Sequence, residues 1–502
     1  MSISRKDRKA TQRERLLEGM LLATVRRGYV GANVAQVIAH AGVSRPTFYE
    51  YFADKDDCFL AVHREISAQL LEEITEAVSS APPERAVQTG VRTLLLLAHA
   101  RPERARFLVN EAMAGGPRVL DQRDHLIEQI EQIIEGARAR VSPRTSTPDL
   151  PTRALVGGVC GLLAPRLRRN EYDLIDLAEE ICEWIESYDQ PYDQHRWRTL
   201  DPGPPLPPAR HLSELALQPP APLPRGRPSL SHAEISRHQR ERIVYATAAV
   251  AAEKGYTAAT IADITTTAGV DRRVFYTHFH DKQQAFLAAH ELGFQQTMAV
   301  CASAFFSSDQ WPERIWEGLH AGTHFNATYP VVAHIGYVEA YAVGSPAVQR
   351  VDDSRAAFNI FVQEGYRHTS KPPAAAALDA ISATIFEIGY HHARTRRLEI
   401  LPRLIPHAAY LILAPFLGPE GANDFIDAKL SEYRSSPNVR EQLGEATYAT
   451  EIRTPLEGGG ETMNAGEVGA PQESTGEATH AGGASAAQES VREAAPAVTA
   501  DA

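Results

Sequence analysis

Residues 13–63 and residues 240–290 repeat one another at a constant offset of 227, without a gap. Arg13/Arg240, Gly28/Gly255, Tyr29/Tyr256, Gly42/Gly269, Phe48/Phe275, Tyr49/Tyr276, Phe52/Phe279 and Lys55/Lys282 coincide. A period of this length means two copies of a domain and excludes a solenoid, whose repeats are several-fold shorter. The repetition continues beyond this block. Residues 102–112 face 330–340, with Glu111 opposite Glu339, and residues 154–187 track 380–413, with Arg168 opposite Arg394. Two complete units follow, each of about 200 residues.

Both units read as helix. Apolar residues recur at three- and four-residue spacing, as in Leu16, Leu17, Met20 and Leu21 or Ile127, Ile130, Ile133 and Ile134. Strand-like alternation between hairpin signals is absent, so the expected fold class is all-α. Ten prolines in residues 196–228 predict an extended linker, a semi-rigid spacer reaching on the order of 100 Å at about 3.1 Å per residue. Residues 436–502 hold eleven acidic residues and three arginines, with few large apolar side chains. Such a segment cannot bury enough surface to fold alone and predicts a disordered acidic tail. The expected boundaries are 1–60 and 61–195 in the first unit, 196–228 for the linker, 229–287 and 288–435 in the second unit, and 436–502 for the tail.

Of the net charge of −12, the tail supplies −8. The basic residues cluster at 5–15 and 225–242, each just ahead of a repeat, and local patches attract phosphate. The longest apolar candidate, residues 408–417, is shorter than a membrane span and contains Pro415. The basic N-terminus lacks the apolar stretch of a secretory signal, and Cys58, Cys160, Cys182 and Cys301 form no CxxC pair. Cytoplasmic localisation, no membrane association and no metal or cofactor are the expectations.

The repeated block has the grammar of a helix-turn-helix. Residues 13–27 form helix 1, stopped at Gly28, and Asn33 caps helix 2. Gly42 supplies the positive φ of the turn. Ser44 caps helix 3, and Pro46 sits in its first turn, where a missing N–H does no harm. Phe48 and Phe52 face the core, which leaves Arg45, Thr47 and Tyr49 for a groove. Lys55 starts helix 4, where ammonium and backbone N–H groups can hold a phosphate. In the second copy Asp271 replaces Ser44 as a cap and brings a charge opposed to phosphate, against which stand Arg272 and Arg273.

The stretches AGVSRPTFYEYFADK and AGVDRRVFYTHFHDK resemble the TetR family of transcriptional regulators. The resemblance implies DNA contacts from Asn33 and Thr260, Thr47, Tyr49 and Tyr276, Tyr51 and His278, and Lys55 and Lys282. It implies a ligand-responsive repressor of a double-stranded operator, with a helical regulatory domain carrying an effector pocket and a dimer face. The dimer face would fall near 154–187 and 380–413, in an intramolecular pseudo-dimer or a homodimer of chains. His324, Phe325, Tyr337, Tyr341 and Phe361 are the candidate ligand-binding residues. His320 and His324 have metal-ligand spacing but no third ligand. Arg225, Gly226, Arg227 and Pro228 resemble the core of an AT-hook. No P-loop, G-x-S-x-G, HExxH or Rossmann glycine pattern occurs, so no enzyme is expected. The competing reading is a helical interaction protein whose DNA readers have decayed.

Overall fold

The computed structural model describes residues 5–207, 220 and 230–435, without the side chains of 5–10 and 435. The Arg225 motif and the acidic tail lie outside the described residues. The first unit runs α1 (Arg5–Gly31), α2 (Val34–Ala41), α3 (Arg45–Tyr51), α4 (Lys55–Ser80), α5 (Ala86–Ala100), α6 (Pro102–Arg106), α7 (Pro117–Arg138), α8 (Thr152–Arg168) and α9 (Ile175–Glu186). The second runs α10 (His232–Lys254), α11 (Ile261–Ala268), α12 (Arg272–His278), α13 (Lys282–Phe305), α14 (Trp311–Thr328), α15 (Pro330–His334), α16 (Ala340–Val343), α17 (Ser345–Gln363), α18 (Ala377–Arg394) and α19 (Ile405–Ser435). A π-helical turn follows α6 at Phe107–Glu111 and α15 at Ile335–Glu339. Among the described residues the only strands are β1 (Ser146–Pro148) and β2 (Asp189–Pro191), paired antiparallel. The all-α expectation holds.

The two units meet along α8 and α18, the helices that begin the expected dimer segments. Their backbones approach closely because α8 carries Gly157, Gly158 and Gly161 at the crossing. A Cβ on Gly158 would lie 2.8 Å from Thr384 Cα, and one on Gly157 would strike the Glu387 side chain. A Cβ on Gly161 would stand 3.4 Å from that of Ala383. Within these helices the repeat offset is 226, so Gly158 faces its own counterpart, Thr384. The contacts 157–387 and 161–383 exchange under the same relation. The seam is therefore pseudo-two-fold, formed inside one chain.

Polar groups pin its flanks. Arg123 Nη2 donates to Glu387 Oε2 at 2.9 Å, and the guanidinium lies over the Tyr390 ring at 4.7 Å. Burial raises the Glu387 pKa, and Arg123 opposes that shift. Arg394 pairs with Asp121 at 2.5 Å, and its counterpart Arg168 pairs with Asp352. One hydrophobic core runs through both units, from Leu16 and Trp184 to Tyr390 and Leu430. The second reader keeps a separate core around Ile243, Phe275 and Phe286.

Two expectations need correction. Residues 196–207 are not a free spacer. Trp197 is buried and stacks on Tyr410 with ring centroids 5.3 Å apart, and its indole N–H donates to Asn423 at 2.7 Å. Arg196 forks onto Asp427 at 2.7 and 2.9 Å, and Gly203 exchanges hydrogen bonds with Arg403. An extended backbone makes no internal hydrogen bonds, so its N–H and C=O groups remain available to a neighbour. Secondly, Leu398–Arg434 is long and apolar enough to cross a membrane by length and composition, but 89% of its apolar window is buried inside the protein. It is a core helix.

Gly158→Val should destabilise by at least about 1–3 kcal/mol, because the crossing has no room for a side chain. Gly136→Ala, in α7 where a Cβ meets nothing within 4 Å, should instead raise the melting temperature. Thermal melts of the two variants check the seam.

Candidate nucleic-acid interface

Each reader is assembled by local capping. Asn33 Oδ1 accepts from the Gln36 N–H at 3.1 Å while Gln36 Oε1 accepts from the Asn33 N–H. Thr260 and Asp263 build the same reciprocal box. Gly42 and Gly269 adopt left-handed φ of 61° and 60°, and each is also covered by a guanidinium. Arg15 Nη2 donates to the Gly42 carbonyl at 2.7 Å, and a Cβ on Gly42 would stand 2.6 Å from that nitrogen. Arg242 occupies the equivalent place over Gly269. Only glycine satisfies both the dihedral and the contact.

On α3, Ser44 Oγ accepts from the Thr47 N–H at 3.3 Å, and the two hydroxyls lie 2.8 Å apart. Phe48 is fully buried, which turns Arg45 and Tyr49 outward, the guanidinium 5.9 Å from the Tyr49 ring centroid. On α12, Phe275 is likewise buried. Arg272 stands 5.7 Å from the Tyr276 ring and donates to its hydroxyl at 3.3 Å. Arg273 is exposed beside it. Each reader thus presents an arginine–tyrosine pair. Asp271, expected to cap α12, makes no side-chain capping bond. The first residue of the second recognition helix is therefore held less firmly than Ser44 holds the first.

Three expected DNA contacts are engaged inside the protein, and a fourth, His278, is half-buried. Lys55 Nζ donates to the Tyr29 carbonyl at 2.9 Å and lies 4.0 Å from the centre of the Tyr29 ring. Lys282 Nζ donates to the Tyr256 and Ala259 carbonyls, both at 2.9 Å. Burial lowers both ammonium pKa values. Each lysine ties the start of its long helix to the end of helix 1. Tyr51 is half-buried, and its hydroxyl donates to Gln12 at 3.4 Å. His278 is half-buried; burial, then Arg240, lowers its pKa. It therefore favours a neutral imidazole over a cation facing phosphate.

A feature of the repeat that sequence reasoning did not use joins reader to regulatory domain. Gly28 and Gly255 turn the chain with φ of 74° and 82°, and the next N–H points at a carboxylate from a π-turn. Tyr29 N donates to Glu111 Oε2 at 2.7 Å, and Tyr256 N donates to Glu339 Oε2 at 2.7 Å. Burial raises the Glu111 pKa, an effect reduced by the bond to Tyr29 and by Arg106. Arg106 stands 3.6 Å from Glu111, whereas His334 stands 3.3 Å from Glu339. A π-turn carries one residue too many for α-helix, which re-aims a single side chain. The visible signal was Glu111 opposite Glu339.

The second regulatory domain contains a cavity of about 220 Å³. Of the five candidate ligand residues, Tyr337 and Phe361 line it. The other three do not. Phe325 is buried against Tyr329, and His324 turns Nδ1 to the His320 carbonyl at 2.9 Å. Tyr341 is half-buried, packed against both hydrophobic cores. Aromatic content alone could not separate a cavity wall from ordinary packing. His320 Nε2 lies 2.8 Å from the Pro207 carbonyl, so the histidine pair braces the incoming chain.

Removing the carboxylate should expose what the π-turns hold. Glu111→Ala and Glu339→Ala each leave a tyrosine N–H without its acceptor, for a loss of about 1–3 kcal/mol. Amide exchange at Tyr29 or Tyr256 should quicken in the matching variant alone.

The model of bacterial regulatory proteins of the tetR family matches residues 24–62 and 243–289. The transcriptional repressor AcnR of Corynebacterium glutamicum is 34% identical over 76 residues, which is 15% of this chain and 40% of that protein. The transcriptional regulator RutR of Escherichia coli K12 is 27% identical over 95 residues, 19% of this chain and 45% of that one. The chain thus spans less than half the length of these curated relatives. Among solved structures, the fatty acid degradation regulator FadR from Bacillus halodurans aligns at 16% identity and TM-score 0.33, covering 35% of this chain and 94% of that one. A TetR family regulator from Marinobacter aquaeolei VT8 aligns at 19% identity and TM-score 0.30, covering 39% and 97%.

Proposed function

We propose, from the premise that the chain is a TetR regulator built as two tandem units, that one molecule binds one operator through both readers. The observation that carries this reading is the intrachain seam. With α8 and α18 packed on each other, both halves of a two-fold reader are already present in a single chain, and α3 and α12 each offer an exposed arginine–tyrosine pair. Each recognition helix would enter a major groove, with half-sites about one helical turn apart. Asn33, Ser44, Arg45, Thr47 and Tyr49 would serve one half-site. Thr260, Arg272, Arg273 and Tyr276 would serve the other. Lys55 and Lys282 would act chiefly by fixing helix 1 against helix 4, with helix N-termini near the phosphates. The repressor sense is carried over from AcnR, and cytoplasmic residence follows from DNA binding.

The effector site in this reading is the cavity of the second unit. Ile335 and Tyr337 line it, and Glu339 at the end of the same π-turn holds the Tyr256 N–H. A molecule entering beside Ile335 would displace the turn and, with it, the end of helix 1. The shift in reader geometry is limited by the difference in the ligand's affinity for the two arrangements.

Selection of DNA by the intact protein tests the whole reading. The two readers differ at Pro46/Arg273 and Thr47/Val274, so the recovered site should be asymmetric. Arg273→Ala should relax a guanine preference in one half-site alone, by about 1–3 kcal/mol. Light scattering of the complex should give one 55.0 kDa chain per duplex. A perfect palindrome bound by two chains would overturn the pseudo-dimer. No enrichment at all would favour a helical interaction protein.

A further inference from the structure

The two units are equivalent in fold but not in what they enclose. The second holds a cavity of about 220 Å³, whereas the corresponding space in the first is about 80 Å³. The difference traces to three positions of the repeat. Gly293, Gly322 and Gly336 line the large cavity; their counterparts Ile66, Leu94 and Leu108 line and fill the small one. The three glycines come from α13, α14 and the π-turn; a Cβ on Gly293 would lie 2.9 Å from Val332 and one on Gly322 2.7 Å from Cys301 Sγ, so Gly336 is the one that opens directly on the space. A Cβ on Gly336 would meet nothing within 4 Å, which means that its missing side chain is cavity volume.

The walls also restrict the ligand. Phe294, Phe305, Phe358, Phe361 and Phe386 line the cavity. The single charged side chain with a fixed charge is Arg355, and Asp352 already faces it at 3.4 Å. Burial keeps His290 neutral, with its pKa near 4. Polar contact comes from the Tyr337 hydroxyl, which Asn326 approaches at 3.5 Å. Asp352 is shared between Arg355 and Arg168, and the rest of the wall is largely apolar, so a charged guest would be desolvated mainly against phenylalanine. A dry cavity of roughly 150 Å³ accepts one benzene ring, so this one suits a body of about two fused rings. An open groove bounded by Phe305, Phe306 and Ile360 lies on the other side of the Phe305 wall.

We propose that each chain binds one uncharged, mostly apolar molecule of about bicyclic size, in the second unit only, with a hydroxyl or similar group hydrogen-bonded to Tyr337. This rests on the effector reading above, and it names the ligand class and the stoichiometry.

The test is calorimetric titration of the full chain with 1-naphthol, without DNA, so that failure to bind an operator leaves this result untouched. One site per chain is expected, with at least tenfold weaker binding of naphthalene-1-sulfonate. Gly336→Leu should reduce 1-naphthol affinity at least tenfold while the melting temperature holds or rises. Leu108→Ala, in the first unit, should leave the second site unchanged. Should Gly336→Leu not fold, Tyr337→Phe decides: it must weaken 1-naphthol but not naphthalene. Two equal sites, equal binding of the sulfonate, no binding of either probe, or indifference to these variants would overturn the proposal.

Discussion

A helix crossing without side chains governs this molecule. At Gly157 and Gly158 the backbone of α8 rests directly on α18. The buried Arg123–Glu387 pair sits beside it, where a charge without its partner would be costly. The asymmetry of the crossing is informative. One helix contributes glycine where the other contributes threonine and glutamate, so the seam is complementary between unlike units. Two copies of α8 would lack the Glu387 carboxylate, and two copies of α18 would lack the glycines at the crossing.

Around that axis the units retain the same mechanical parts. A guanidinium covers each turn glycine, an ammonium closes each helix 1, and a π-turn carboxylate takes each tyrosine N–H. These parts all act on backbone groups, which explains their persistence while the groove-facing and cavity-facing side chains differ. A backbone N–H that loses its acceptor is penalised whatever the neighbouring sequence.

Much of this was legible in the residues. Apolar spacing, Asn33, Ser44 and the turn glycines act within a few residues, so the reader could be drawn from the chain alone. The repeat located α8 and α18 for the same reason. What escaped depends on distant partners. Trp197 looked like the start of a spacer because nothing near it in sequence indicates Tyr410 or Asn423. The bond from Lys55 to the Tyr29 carbonyl is hidden because its acceptor is 26 residues away. Asp271 has the chemistry of a cap but not the geometry. Phe325 and Tyr341 could not be told from cavity walls, since enclosure is a property of several helices together. The glycines that open the cavity carried a signal, an apolar residue in one copy against glycine in the other. Reading it requires comparison of the copies residue by residue.

The seam also changes how the protein responds to dilution. Regulators made of two chains separate when their concentration falls below the dissociation constant of the pair, so their active fraction depends on abundance. Here the halves share a backbone, and their association has no dependence on concentration. Assembly coincides with folding, and a single molecule per cell is as complete as a thousand. On the reading proposed above, occupancy of a target would rise with the first power of protein copy number, a graded rather than a thresholded response.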